Sequence, residues 1–185
     1  MQTIPTFMHS IDPWEDARMD AIITPFFHAP TFTWTWLVED PATRAAAIID
    51  PALDFDPKSC RIETLLADAL VAHIHERQLA LQWILETHLH ADHLSAAQYL
   101  KQQLGGQVGA GAGLLAVQQR FTKVFNLGAE FATDGSQFDH LFGDGERFSI
   151  GSLAVEVMAT PGHTPCSVSY RIGDALFIGD NLFAP

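Results

Sequence analysis

The stretch LALQWILETHLHADHLSAAQYLKQQLGG, Leu79 to Gly106, decides the fold. Leu79 to Leu85 is a short, almost wholly apolar run, which reads as a buried strand. It delivers the chain directly into the polar segment Glu86-Thr87-His88-Leu89-His90-Ala91-Asp92-His93, and LSAAQYLKQQL then reads as a helix stopped by Gly105 and Gly106. A strand, a ligand-rich turn and a helix in succession make a β–loop–α unit.

Working outward toward the N-terminus, the apolar positions Ile62, Leu65, Leu66, Ala69 and Leu70 form the stripe of a helix running to about Gln78. Before it, residues 21–38 are dense in β-branched and aromatic types and read as two strands, and Arg44 to Asp50 reads as a third, ending in a turn at Asp50-Pro51. The segment through Asp54, Asp56 and Pro57 reads as a loop. Toward the C-terminus, Gln107-Val108 opens a short strand, LLAVQQRFTKVF reads as a helix, and residues 126–146 form a long excursion. FSIGSLAVEVMAT, SVSYRI and ALFIG then read as strands, with turns at Gly151 and Gly173-Asp174. No linker, repeat or charge run divides the chain, so residues 1–185 are expected to form a single domain.

Composition narrows the function. The chain has 185 residues, 48% hydrophobic and 17% charged, a globular profile rather than a disordered one. Its formal net charge of −12 repels phosphate backbones and anionic membrane surfaces, so neither nucleic acid nor a membrane is an expected partner. No run reaches the ~18 apolar residues of a membrane helix, and the first thirty residues show no secretory pattern. With only Cys60 and Cys166 there is no disulfide scaffold, and a cytoplasmic protein is expected.

The chemistry concentrates in four residues of metal-ligating type, His88, His90, Asp92 and His93, packed within six positions. Residues two apart on extended chain point the same way, so His88 and His90 can share an ion, while Asp92 and His93 can face a neighbouring position. Two later residues have the same character. His163 sits in Thr160-Pro161-Gly162-His163-Thr164-Pro165, a loop stiffened by two prolines. Asp180 follows the apolar run Phe177-Ile178, where a carboxylate needs a cation or hydrogen bonds.

The remaining histidines contrast with these. His73 and His75 lie two apart on a helix and do not share a face. His9 and His28 are isolated, and His140 could edge the site. Gly109-Ala110-Gly111-Ala112-Gly113-Leu114 begins like a dinucleotide fingerprint but lacks its last glycine and the acid that follows, so it reads as a flexible turn. Cys166 reads equally as a packing residue or a nucleophile.

Together these residues resemble the metallo-β-lactamase superfamily, whose signature T-H-x-H-x-D-H is followed by a loop histidine and a strand-end aspartate. ETHLHADHLSAA, PGHTP and FIGDNLF, with the excursion from Val124 to Phe142, are similar to persulfide dioxygenases and bacterial β-lactamase-hydrolase-like proteins. The resemblance covers about Ile22 to Pro185 and implies an α+β fold, the αββα sandwich with metals at one edge of its two sheets. Relatives continue beyond Pro185 and carry a further C-terminal histidine, so the second half of the sandwich is expected to be incomplete. Cys166 stands where a glycine is usual.

The resemblance also implies roles. A persulfide dioxygenase holds one Fe(II), here on His88, His163 and Asp180, with His90, Asp92 and His93 orienting ligands and water and with Asp92 and His93 as the candidate catalytic groups. Its substrates would be glutathione persulfide or a similar persulfide and O₂, and its product sulfite. The alternative is a glyoxalase II-type hydrolase of a thioester or lactam, with one or two Zn²⁺ and His90, Asp92 and His93 among the ligands. A third reading is a metal-binding remnant without turnover. Uncovered sheet surface would favour a homo-oligomer.

Overall fold

A computed structural model describes residues 21–182; His9 and the first twenty residues, on which part of the leader reading rests, lie outside it. Thirteen short strands and three helices follow in order: β1 (Ile22–His28), β2 (Thr33–Glu39), β3 (Ala45–Ile49), β4 (Ala52–Asp56), β5 (Arg61–Glu63), α1 (Leu65–Glu76), β6 (Ala80–Glu86), β7 (Leu94–Ser95), α2 (Ala97–Leu104), β8 (Gln107–Gly111), α3 (Leu114–Val124), β9 (His140–Phe142), β10 (Arg147–Ile150), β11 (Leu153–Ala159), β12 (Val168–Ile172) and β13 (Ala175–Phe177). They make a six-stranded sheet in the order β1-β2-β3-β6-β8-β9 and a four-stranded sheet β10-β11-β12-β13, with β5-β4-β7 as a small third sheet.

Strand β3 shows why the layers stack as they do. All five of its residues are buried, so it must be covered on both faces. Ala45, Ala47 and Ile49 face the four-stranded sheet, among Val155, Val157, Tyr170 and Ile172. Ala46 and Ile48 face the opposite way, among Ala67, Leu70 and Ile74 of α1 and Leu100 of α2. The alternation gives one helical layer and two sheets, three layers of the expected αββα sandwich. Among the described residues no helix covers the outer face of the second sheet, which carries the Glu156 carboxylate between Arg147 and Arg171.

Parallel pairing β3–β6–β8–β9 aligns the C-terminal ends of the strands at one edge. Asp50, Glu86 and Gly111 are therefore brought to the same end of the sheet, which is where chemistry gathers in such arrangements.

Several sequence expectations shift. The helical stripe counted from Ile62 begins only at Leu65, because Arg61–Glu63 pairs with β4, which itself occupies the segment expected as a loop. Leu94-Ser95 pairs with the start of β4 instead of opening α2. The long excursion contributes β9, which pairs with β8. Most instructive is the glycine run: Gly109 and Gly111 lie in β8, a strand hydrogen-bonded on both sides, rather than in a flexible turn. A Cβ on Gly109 would stand 2.5 Å from Phe142, and one on Gly111 would stand 2.5 Å from Val168. The glycines are spaces for the side chains that join the two sheets.

The far end of the sandwich is tied by Asp40, which is fully buried. Its carboxylate accepts bonds from Ala42 N at 2.9 Å, Thr43 Oγ1 at 2.6 Å, and Ser152 N and Oγ at 2.7 and 2.6 Å, so the β2–β3 turn grips the β10–β11 turn. Burial alone would raise its pKa, but the bonds from Ser152, Thr43 and Ala42 outweigh burial and hold the carboxyl well below the usual carboxylate range. Asp40→Asn is expected to lower stability by about 2 kcal/mol, since it puts an amide donor among donors. Because the folded pKa is depressed, the wild-type advantage is full above the unfolded value of about 3.9 and shrinks as pH falls below it. Urea unfolding of both proteins at pH 7 and pH 3 measures this; an equal gap at the two pH values contradicts it.

Candidate metal centre

Four chain segments converge at the sheet edge. Strand β3 ends at Asp50, whose φ of +53° places a non-glycine residue in the left-handed region. Strand β6 ends at Glu86, and the chain runs on through Thr87, His88, His90, Asp92 and His93. The β11–β12 loop carries His163, and a single 3₁₀ turn after β13, Gly179–Asn181, carries Asp180. The second sheet is locked to this edge by Val168 N donating to Thr87 O at 2.8 Å and Tyr170 Oη donating to Glu86 O at 3.0 Å.

The six ligand-type residues marked in the sequence come together as two groups of three. His88, His163 and Asp180 each offer a donor atom within 4.8 Å of the other two, and so do His90, Asp92 and His93. In the first group, Asp180 Oδ2 stands 3.8 Å from His88 Nε2 and 3.7 Å from His163 Nε2. The His88 and His163 rings stand edge to face with centroids 5.0 Å apart. In the second group, the His90 and His93 rings stack at 4.3 Å and Asp92 is exposed.

A hydrogen-bond relay settles the tautomer of His88. The Thr87 hydroxyl donates its one hydrogen to Asp50 Oδ2 at 2.8 Å, so it must accept at 2.9 Å from His88 Nδ1–H. The lone pair of His88 is then on Nε2. That atom is buried without a hydrogen-bond partner among the described residues and faces Asp180 and His163. Burial, reinforced by the charge on His90, pushes the His88 pKa down to about 4, so the ring is neutral at pH 7. A neutral imidazole aiming an unsatisfied lone pair at a second imidazole and a carboxylate is a donor set that fits a divalent metal ion.

Asp50 and Glu86 were not singled out in the sequence, yet both organise the site. Asp50 Oδ1 accepts from Thr87 N at 2.7 Å, and His90 Nε2 lies 3.1 Å from both Asp50 Oδ1 and Glu86 Oε2. Burial disfavours a charged His90, but the bonds and charges of these two carboxylates overcome it and raise its pKa to about 11. Glu86 also accepts from Ser95 Oγ. The signal for Asp50 was present: like Asp180, it is an acid directly after an apolar strand. Glu86 precedes His90 by four residues, a separation that carries no signal until the turn closes.

Gly179 makes the Asp180 turn possible. Its φ is +52°, and a Cβ there would collide with the Thr87 hydroxyl and stand 3.2 Å from His88 Nδ1. The other histidines stay apart. His140 lies 2.6 Å from Glu146 and packs against Trp83 and Phe142, belonging to none of the ligand groups rather than edging the site. His28 is buried against Thr31 and Asp54, and His73 faces Glu39. Cys166 is buried with Ala110, Leu114 and Val117, which favours its packing role.

The Metallo-beta-lactamase superfamily description matches residues 28–185. The chain belongs to the metallo-β-lactamase superfamily. It is 46% identical over 172 residues to a Beta-lactamase hydrolase-like protein of Xylella fastidiosa, covering 91% of this chain and 40% of that protein. It is 49% identical over 155 residues to Glyoxylase B2 of Dictyostelium discoideum, covering 83% of this chain and 53% of that one. With the mitochondrial Persulfide dioxygenase ETHE1 of Homo sapiens the identity is 29% over 163 residues, covering 87% and 52%. The crystal structure of ETHE1 from Myxococcus xanthus superposes with a TM-score of 0.65 at 30% identity, covering 88% of this chain and 59% of that one. The chain thus spans about half, or less, of the length of these curated relatives.

His163→Ala and Asp180→Ala are each expected to abolish tight metal binding, while His73→Ala retains it; equal metal content in all three after dialysis contradicts the grouping. Thr87→Val keeps the shape of the side chain but removes the relay, and should weaken metal affinity about 10–100-fold. Titration against a chromophoric chelator measures it, and an unchanged affinity refutes the tautomer argument.

Proposed function

We propose that this chain carries the metal site of a mononuclear non-haem iron persulfide dioxygenase, with His88, His163 and Asp180 holding one Fe(II). The observation that carries the reading is the division of the six ligand residues. The first group is two imidazoles and one carboxylate, the set that suits Fe(II) and O₂ chemistry. The His90 ring lies beside that of His88, with centroids 4.1 Å apart, but its Nε2 is engaged by Asp50 and Glu86 rather than turned toward His163 and Asp180. The similarity to ETHE1 supports the same reading.

When bound, iron supplies the redox chemistry and the positions at which a sulfur ligand and O₂ can meet. The overall conversion is glutathione persulfide, O₂ and water to glutathione, sulfite and two protons, the sulfane sulfur giving four electrons to O₂. The protein's part is to hold and orient. Thr87 and Asp50 fix the His88 tautomer, while Asp50 and Glu86 fix His90. Exposed Asp92 and half-buried His93, at the rim, are suited to orienting water and carrying protons away.

A zinc hydrolase is the second reading, favoured by the close approach of His90, Asp92 and His93 and by the likeness to Glyoxylase B2. In that case the second group takes part in metal binding and the substrate is a thioester.

Metal analysis of protein purified without oxygen, followed by assays of iron-loaded and zinc-loaded samples, separates the two. About one iron per chain, with oxygen uptake on glutathione persulfide and weak thioester cleavage, is expected. Efficient thioester cleavage by the zinc form with no oxygen uptake by the iron form overturns the proposal in favour of the hydrolase.

A further inference from the structure

His163 and Asp180 lie on different loops, yet their donor atoms stand 3.7 Å apart. Neither loop is part of a strand or a long helix, so something must hold their spacing. The His163 loop leaves β11 at Thr160, and the Asp180 turn leaves β13 at Ile178. Asn181, immediately after Asp180, touches both. Its side-chain amide donates one hydrogen to Thr160 Oγ1 at 3.0 Å and the other to Ile178 O at 3.1 Å. Its Oδ1 lies against Gly162, only 3.3 Å from where a Cβ would stand, so the residue before His163 packs directly on the Asn181 amide.

The far end of this contact is anchored as well. Thr160 Oγ1 shares a 2.9 Å bond with Ser169 Oγ, and Ser169 is buried in β12. Thr160 N also donates to Ser167 O at 3.0 Å. A continuous chain therefore runs from the Asp180 turn through Asn181 and Thr160 to the interior of the second sheet. Both hydrogens of the Asn181 amide are used, one on each side of the gap that separates the two ligand loops.

We propose that Asn181 is a positioning residue that braces the His163 loop against the Asp180 turn and thereby sets the affinity of the metal site. The inference rests on His88, His163 and Asp180 being the ligands. Asn181 acts by fixing the backbones that carry His163 and Asp180. Small errors in ligand placement weaken metal binding, and residues that orient ligands commonly contribute 10–100-fold.

The test uses the full chain and Co²⁺ as the probe, because its visible absorption reports coordination geometry. Asn181→Ala and Thr160→Val remove the two ends of one hydrogen bond. Each is expected to weaken Co²⁺ affinity about tenfold and to shift the absorption band, whereas Thr160→Ser, which keeps the hydroxyl, stays within about twofold of wild type. The double variant should be no weaker than the worse single one, the mark of a shared interaction. Thr160→Val also takes away the partner of Ser169 Oγ and so lowers the metal-free unfolding midpoint; the shifted absorption band of Asn181→Ala is the readout that a purely structural role would not move. Should Asn181→Ala fail to fold, the comparison of Thr160→Val with Thr160→Ser decides the matter. Wild-type affinity and an unshifted band in Asn181→Ala, or strictly additive effects in the double variant, overturn the brace. A His163→Ala control that binds Co²⁺ like wild type overturns instead the ligand assignment on which the brace depends.

Discussion

The site depends on one buried carboxylate. Asp50 ends β3 in a left-handed backbone conformation and receives three bonds at once, from Thr87 N, Thr87 Oγ1 and His90 Nε2. A carboxylate taken out of water at this depth is costly unless its lone pairs are met. Meeting them forces the β6 end to lie beside the β3 end, fixes the His88 ring through Thr87, and engages His90 Nε2. The geometry of the histidines is thus a consequence of how Asp50 is satisfied.

The second requirement is close approach of the two sheets. His88 comes from the first sheet, whereas His163 and Asp180 come from loops of the second, so the three can meet only if the sheets pack tightly at this edge. The glycines of β8 allow it: Gly109 leaves room for Phe142 and Gly111 for Val168. Val168 is also the residue whose N–H bonds Thr87 O, so the contact that fills the space beside Gly111 also tethers the site. Gly179 does the same for the Asp180 turn. Three absent side chains are as important here as the ligands present.

The two ends of the sandwich differ in the way they are held. At the far end, Asp40 joins two turns through hydrogen bonds from neutral groups, and both of its carboxylate oxygens are met. At the site end, His88 Nε2 points at Asp180 and His163 without a hydrogen-bond partner among the described residues, and His93 Nε2 nearby is buried without one as well. Protein interiors tolerate few such atoms.

The amino-acid order by itself determined the β–loop–α unit around His88, the buried strand at residues 45–49, and the six ligand types, since apolar periodicity and ligand clustering are local properties. It misread the segments whose state depends on distant partners. Residues 52–56 became a strand because β5 and β7 pair with them, and the glycines of β8 became a strand because neighbours on both sides supply hydrogen bonds that glycine alone does not encode. Only the tertiary structure divided the six ligands into two groups, with the His90 ring nitrogen engaged by the Asp50 and Glu86 carboxylates. It alone revealed Thr87, Glu86 and Asn181 as orienting residues. Each of them works across a gap between separate strands or loops, at distances of about 3 Å that no spacing along the chain expresses.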